Sequence, residues 1–200
     1  MTIRKGEEWG VRVMCPEERE IAEDDFDASR HDSSSVFSVI RGDLHLSLGS
    51  PKVPIIGHEC TAVPIDALRC TVTAPSGEQR DLFAISSITL GSWWRGSFVV
   101  LSNSGFYNGL NIAPRSHPND GECDVMVMER SLPFRQRVLA RQKAKTGTHV
   151  PHPLISLRRS TEFSHSKQSP RERLVLDGRA VDNWVQLDVS VLPDYWTVLL

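Results

Sequence analysis

Short runs of alternating apolar and polar residues dominate this chain, and they predict strands rather than helices. Gly10–Met14 alternates over one short run, and Val36–Leu48 does so more loosely through Val39, Leu44, Leu46 and Leu48. Ala67–Ala74 and Arg80–Leu90 flank Pro75-Ser76-Gly77-Glu78, which reads as a hairpin around a Ser-Gly turn. Phe98–Leu101 and Asp124–Met128 are short apolar runs of the buried-strand kind. Ile155–Phe163, Arg173–Leu176, Val185–Val191 and Trp196–Leu200 complete the set, and Asp177-Gly178 after Leu174–Leu176 is a type I′ turn signal. Pro16–Ser35, acidic and then serine-rich, reads as a solvated loop with room for one helical turn, and Pro51–Gly57 as a turn-rich connection.

One helix stands out, Leu132–Lys145. Ser131 is placed to cap it, Pro133 suits its first turn and Gly147 its end. Phe134 and Val138 would supply its apolar face, with Arg137, Arg141 and Lys145, each four apart, as a cationic stripe on another. About ten short strands and one clear helix predict a mainly β fold, an antiparallel β-sandwich or open barrel. Residues 1–50 are expected to pack as strands and a loop on a main β-sandwich domain of residues 51–200, the whole forming one structural unit.

Composition is that of a globular protein, 40% hydrophobic and 24% charged. The net charge of −2 hides an asymmetry: residues 1–50 hold 11 Asp/Glu against 6 Lys/Arg, whereas residues 130–173 hold 11 Lys/Arg against 2 acids. No apolar run approaches the ~18–20 residues of a spanning helix. The first residues lack the apolar core of a signal peptide, so a cytoplasmic, at most peripherally membrane-bound, protein is expected. The four cysteines stand far apart without a Cys-x-x-Cys pair, the pattern of isolated reduced thiols. Trp93-Trp94 lies between two β segments, where adjacent side chains face opposite ways, so one ring is expected inside and one outside. Trp184 and Trp196 are expected in the core.

Four segments in order carry a family resemblance. They are Gly109-Leu110-Asn111-Ile112-Ala113-Pro114, Asn119-Asp120-Gly121-Glu122-Cys123-Asp124-Val125, Gly147-Thr148-His149, and Leu176-Asp177-Gly178-Arg179 followed by Val191-Leu192-Pro193-Asp194. Together they resemble the C-terminal domain of the diacylglycerol kinase and bacterial lipid kinase family over roughly residues 60–200. The resemblance implies an NAD kinase/diacylglycerol kinase-like β-sandwich that normally packs over an ATP-binding lobe. Arg41–Gly49 echoes the segment that ends that lobe, but the 40 residues before it are too few for an α/β nucleotide fold, and no glycine-rich phosphate cradle is present.

The resemblance also implies site residues. A magnesium ion would be held by Asp120 with the carbonyls of His117 and Glu122, suitable ligands for a hard cation; the alternative is a plain Asn-Asp-Gly turn. The family's general base is a glutamate at the position of Arg179, and a guanidinium cannot accept a proton from a lipid hydroxyl. No catalytic residue is therefore expected. The basic set Arg137, Arg141, Lys145, Arg158 and Arg159 is the candidate contact for an anionic lipid, a membrane surface or a phosphate group, against a solvated face as the alternative. His149 and His152 read as packing residues, because prolines 151 and 153 forbid a helical metal pair. The pI near 6.4 and the lack of a reading motif argue against nucleic acid. The expected function is a lipid-kinase-like binding module without kinase activity. Its alternatives are the partner of a separate ATP-binding subunit, or a structural homodimer.

Overall fold

The computed structural model describes residues 9–200. Two packed sheets carry most of it. The chain runs β1 (Val11–Met14), β2 (Glu20–Ala22), α1 (Asp25–Ala28), β3 (Val36–Val39), α2 (Asp43–Ser47), β4 (Glu59–Thr73) and β5 (Gln79–Ala84). It continues through β6 (Ser87–Ser92), β7 (Arg95–Ser102), β8 (Phe106–Tyr107), β9 (Leu110–Asn111), β10 (Cys123–Met128) and α3 (Phe134–Ala144). It ends with β11 (Ile155–Ser160), β12 (Glu162–Ser166), β13 (Leu174–Leu176), β14 (Arg179–Val181) and β15 (Gln186–Leu199).

The first sheet has the order β1-β4-β15-β3-β2, with β5 and β12 added to the long strands β4 and β15. The second has the order β11-β10-β7-β6-β13-β14. Alternation sorts their side chains. Leu68, Cys70, Val72, Leu187 and Val189 meet Ile88, Leu90, Val99, Leu101, Val125 and Leu174 in one core between the sheets. The other face of β7 and β10, with Phe98, Val100, Met126 and Met128, is covered by α3. Phe98–Leu101 is apolar throughout because both its faces are buried. A further core under α1 and α2 gathers Phe37, Leu44, Ile65 and Trp196.

Several expectations change here. Val36–Leu48 is strand only to Val39 and then turns into α2, because Leu44 and Leu48 are also four apart and Gly42 breaks the strand. Arg80–Leu90 is two strands, not one, and the chain changes sheet at Ile85-Ser86. The helix is shorter than expected and starts at Phe134 without a side-chain cap; the Ser131 hydroxyl donates instead to Glu129 at 3.1 Å. Its inward face is Arg137, Ala140 and Ala144, whereas Phe134 is 62% exposed. The Asp177-Gly178 turn is as expected, with φ of 42° and 80°, the two positive angles a type I′ turn requires. Trp184, Trp196 and all four cysteine thiols are buried. Among the described residues no helix is long and apolar enough to cross a membrane.

Candidate functional site

The change of sheet at residues 85–87 leaves backbone amides without a ladder partner. Asp177 supplies it. From its tight turn its carboxylate accepts from the amides of Ile85 (2.8 Å), Ser86 (3.0 Å) and Ser87 (2.8 Å). Two further carboxylates act in the same way. Asp25, in the first turn of α1, accepts from the amides of Asp43 (2.7 Å) and Leu44 (3.2 Å), which open α2. Asp43 in turn accepts from Asn108 and Gly109, each at 2.7 Å. Gly42 is required for this seating: its φ is +113°, and a Cβ there would meet the Asp25 Oδ1 at 2.3 Å.

These carboxylates stand at the floor of a cleft of about 1290 Å³. Burial, helped by the neighbouring Asp25 charge, pushes Asp177 up to about 8 against the three amides that lower it. Burial likewise pushes Asp25 up to about 6, and raises Asp43. The cleft's walls are cationic: Arg41, Arg95, Arg130, Arg141, Arg171 and Arg173. Arg41 pairs with Glu23 at 2.9 Å. Among the described residues, the other five have no acidic partner within 4.0 Å.

The basic residues singled out from sequence do not form one surface. Only Arg141 lines the cleft. Arg137 does not belong to a solvated stripe: it is 1% exposed. Its guanidinium donates to the carbonyls of Trp93, Gly96, Glu129 and Leu132, and its carbonyl accepts from the Trp93 indole N–H at 3.2 Å. Lys145 is exposed at the C-terminal end of α3. Arg158 and Arg159 line a separate groove of about 860 Å³ with Arg115 and His152. Arg179 has its guanidinium 5.0 Å from the centre of the Phe26 ring. His149 is buried, both its ring nitrogens lack a hydrogen-bond partner among the described residues, and burial lowers its pKa.

At the implied magnesium site a side chain already stands beside the Asp120 carboxylate. Strand register places Arg159 opposite Asp124. Its guanidinium lies 3.3 Å from Asp120, 3.5 Å from Glu122 and 4.0 Å from Asp124. The other Asp120 oxygen accepts from the Glu122 amide at 3.2 Å, as in an Asx turn. Both oxygens are thus engaged, and the positive charge is a side chain. Burial still pushes Asp120 up to about 6. The loop itself is braced by buried Asp66, which accepts from the Asn119 side chain at 3.0 Å and from the amides of Gly121 (2.8 Å) and Asp194 (2.9 Å).

Asp25, Asp43, Arg171 and Arg173 were not legible as site residues. Two signals were available at Asp43: the Arg41–Gly49 echo of a family segment, and Gly42 directly before it, a glycine where a strand pattern fails.

Two sheets, a bracing aspartate at their crossing and a polar cleft beside it define a kinase-type β-sandwich. Residues 84–200 match the family described as YegS C-terminal NAD kinase beta sandwich-like domain, and the chain belongs to it. Among solved structures, yeast NADH kinase in complex with NADH is similar at a TM-score of 0.55 and 10% identity, over 91% of this chain and 60% of that one. A diacylglycerol kinase from Bacillus anthracis str. Sterne aligns at a TM-score of 0.43 and 12% identity, over 90% of this chain and 75% of that one. At 10% identity the likeness to the yeast enzyme is one of fold. No curated protein matches the chain in sequence.

Proposed function

We propose that the chain is a binding module for a phosphate-bearing amphiphile, held in the cationic cleft, and that it does not transfer phosphoryl groups. The observation that carries this reading is the cleft's charge distribution. Its carboxylates are committed to backbone amides, whereas Arg95, Arg130, Arg141, Arg171 and Arg173 lack acidic partners among the described residues. A planar, permanently charged guanidinium is well suited to a phosphate's oxygens. Tyr107, half-buried and stacked on buried Trp93 at 6.3 Å, supplies apolar surface for a chain in the same wall. Arg179 supports the absence of catalysis, because the position that resembles the family's base cannot take a proton.

Calorimetry with short-chain phosphatidic acid and the matching uncharged diacylglycerol tests the reading. Binding of the phosphate-bearing lipid alone, weakened about ten-fold or more in Arg171→Ala/Arg173→Ala, is the expected result. Equal affinity for both lipids, or radiolabelled phosphate passing from ATP to diacylglycerol, would overturn it.

A further inference from the structure

The mouth of the cleft carries an aromatic pair that the binding reading leaves unused. β6 and β7 are joined through Trp93-Trp94. Trp93 is buried, and Trp94 turns outward with 45% of its surface exposed. Its ring lies 6.0 Å from Phe134, the first residue of α3 and 62% exposed. The Arg141 guanidinium stands 5.5 Å from the centre of the Trp94 ring. Phe134 and Arg141 are seven apart, two helical turns on one face of α3. Arg95 and Arg130, both exposed, flank the pair, and the segments 92–97 and 130–145 contain no acidic residue. The indole N–H of Trp94 has no hydrogen-bond partner among the described residues.

The pair is also held in place. Buried Arg137 links the carbonyls of Trp93 and Gly96, on either side of Trp94, to those of Glu129 and Leu132, just ahead of Phe134. One side chain thereby fixes the two elements that present the rings, so little conformational freedom is left to lose on docking.

We propose that Trp94 and Phe134, ringed by Arg95, Arg130 and Arg141, dock the mouth of the cleft on an anionic lipid bilayer. This deepens the reading of the cleft as a site for a phosphate-bearing amphiphile and rests on it. A tryptophan with a free N–H, a phenylalanine and a ring of arginines match the layered chemistry of a bilayer interface: acyl boundary, carbonyl level and phosphate level. A single-stranded oligonucleotide would want flat, parallel stacking faces. Here the two rings are inclined by 43° and one is already faced by a guanidinium.

The test is co-sedimentation of the full chain with vesicles of phosphatidylcholine, with and without phosphatidylglycerol, at low and physiological salt. The wild type should bind only the anionic vesicles, and less at higher salt. Trp94→Ala/Phe134→Ala should lower that partitioning about ten-fold or more, since two interfacial side chains are lost. Brominated lipids should quench wild-type tryptophan fluorescence more than that of Trp94→Phe. The single variant Phe134→Ala, at a residue that does not line the cleft, should lower vesicle binding yet keep its calorimetric affinity for short-chain phosphatidic acid. Undiminished vesicle binding by the double variant overturns the proposal, as does a wild type that binds an oligonucleotide but no vesicle. Loss of the short-chain ligand in Arg171→Ala/Arg173→Ala with vesicle binding intact would confirm the rim as a separate docking element. Absence of short-chain binding in every form would instead overturn the cleft reading.

Discussion

Arg137 illustrates how far a residue's role can lie from its type. On a helix with three basic residues four apart it belongs to a cationic stripe, yet the fold turns it inward onto four carbonyls. Those carbonyls lie at the β6–β7 turn, at the start of β7 and ahead of α3, and a guanidinium offers them five N–H groups in a fixed fork. Burial without an acidic partner lowers its pKa, although arginine keeps its proton. Arg137→Met is expected to cost about 3 kcal/mol in urea unfolding, since several buried carbonyls lose their donors together. Arg141→Met, on the exposed side of the same helix, should stay within about 0.5 kcal/mol of wild type. Equal costs for the two would contradict the buried clamp. The same contrast explains what was legible here. The apolar i, i+4 pair Phe134 and Val138 looked like the inward face, but the helix packs through Arg137, Ala140 and Ala144, two small residues and a hydrogen-bonded arginine, into the core that also holds Phe98, Val100 and Met126.

Between strands, the pairing of β10 with β11 decides the chemistry of the Asp120 loop. Register sets Arg159 across from Asp124, and the guanidinium then reaches Asp120 and Glu122 as well. Its Nη2 also donates to the Arg115 carbonyl at 2.6 Å, which joins the strand to the preceding loop. A side chain thus supplies the positive charge that a divalent ion would bring. Thermal unfolding of the wild type should therefore be the same with excess magnesium as with a chelator. Arg159→Ala should unfold at lower temperature and regain part of the loss with magnesium, because three acids then lack a counter-charge. A wild type stabilised by magnesium and weakened by chelator would show that the loop holds the ion despite Arg159.

Across the whole molecule, the aspartates at the cleft floor join its parts: Asp25 holds α2, Asp43 the β8–β9 turn, and Asp177 the crossing between sheets. All three have pKa values raised by burial. The folded state therefore retains protons that the unfolded chain, with an ordinary aspartate value of 3.8, releases. The contribution of these groups to stability should fall as pH rises from about 4, through about 6 for Asp25 and on to about 8 for Asp177, and then level off. Asp177→Asn should flatten the decline between pH 6 and 8, because an amide does not titrate. The same pH dependence across that interval in the wild type and in Asp177→Asn would rule this out.

The local pattern alone determined the mainly β architecture, the Asp177-Gly178 hairpin and the family, because alternation, turn chemistry and motif order are properties of neighbours in sequence. Only the tertiary structure decided where charges lie. Arg137 went to the interior, Arg159 to an acidic loop and Arg141 to a cleft rim, although all three are exposed-looking arginines in the same basic half of the chain. Which carbonyl or carboxylate an arginine meets depends on strands distant in sequence, and the backbone groups orphaned where the chain changes sheet exist only once both sheets have formed.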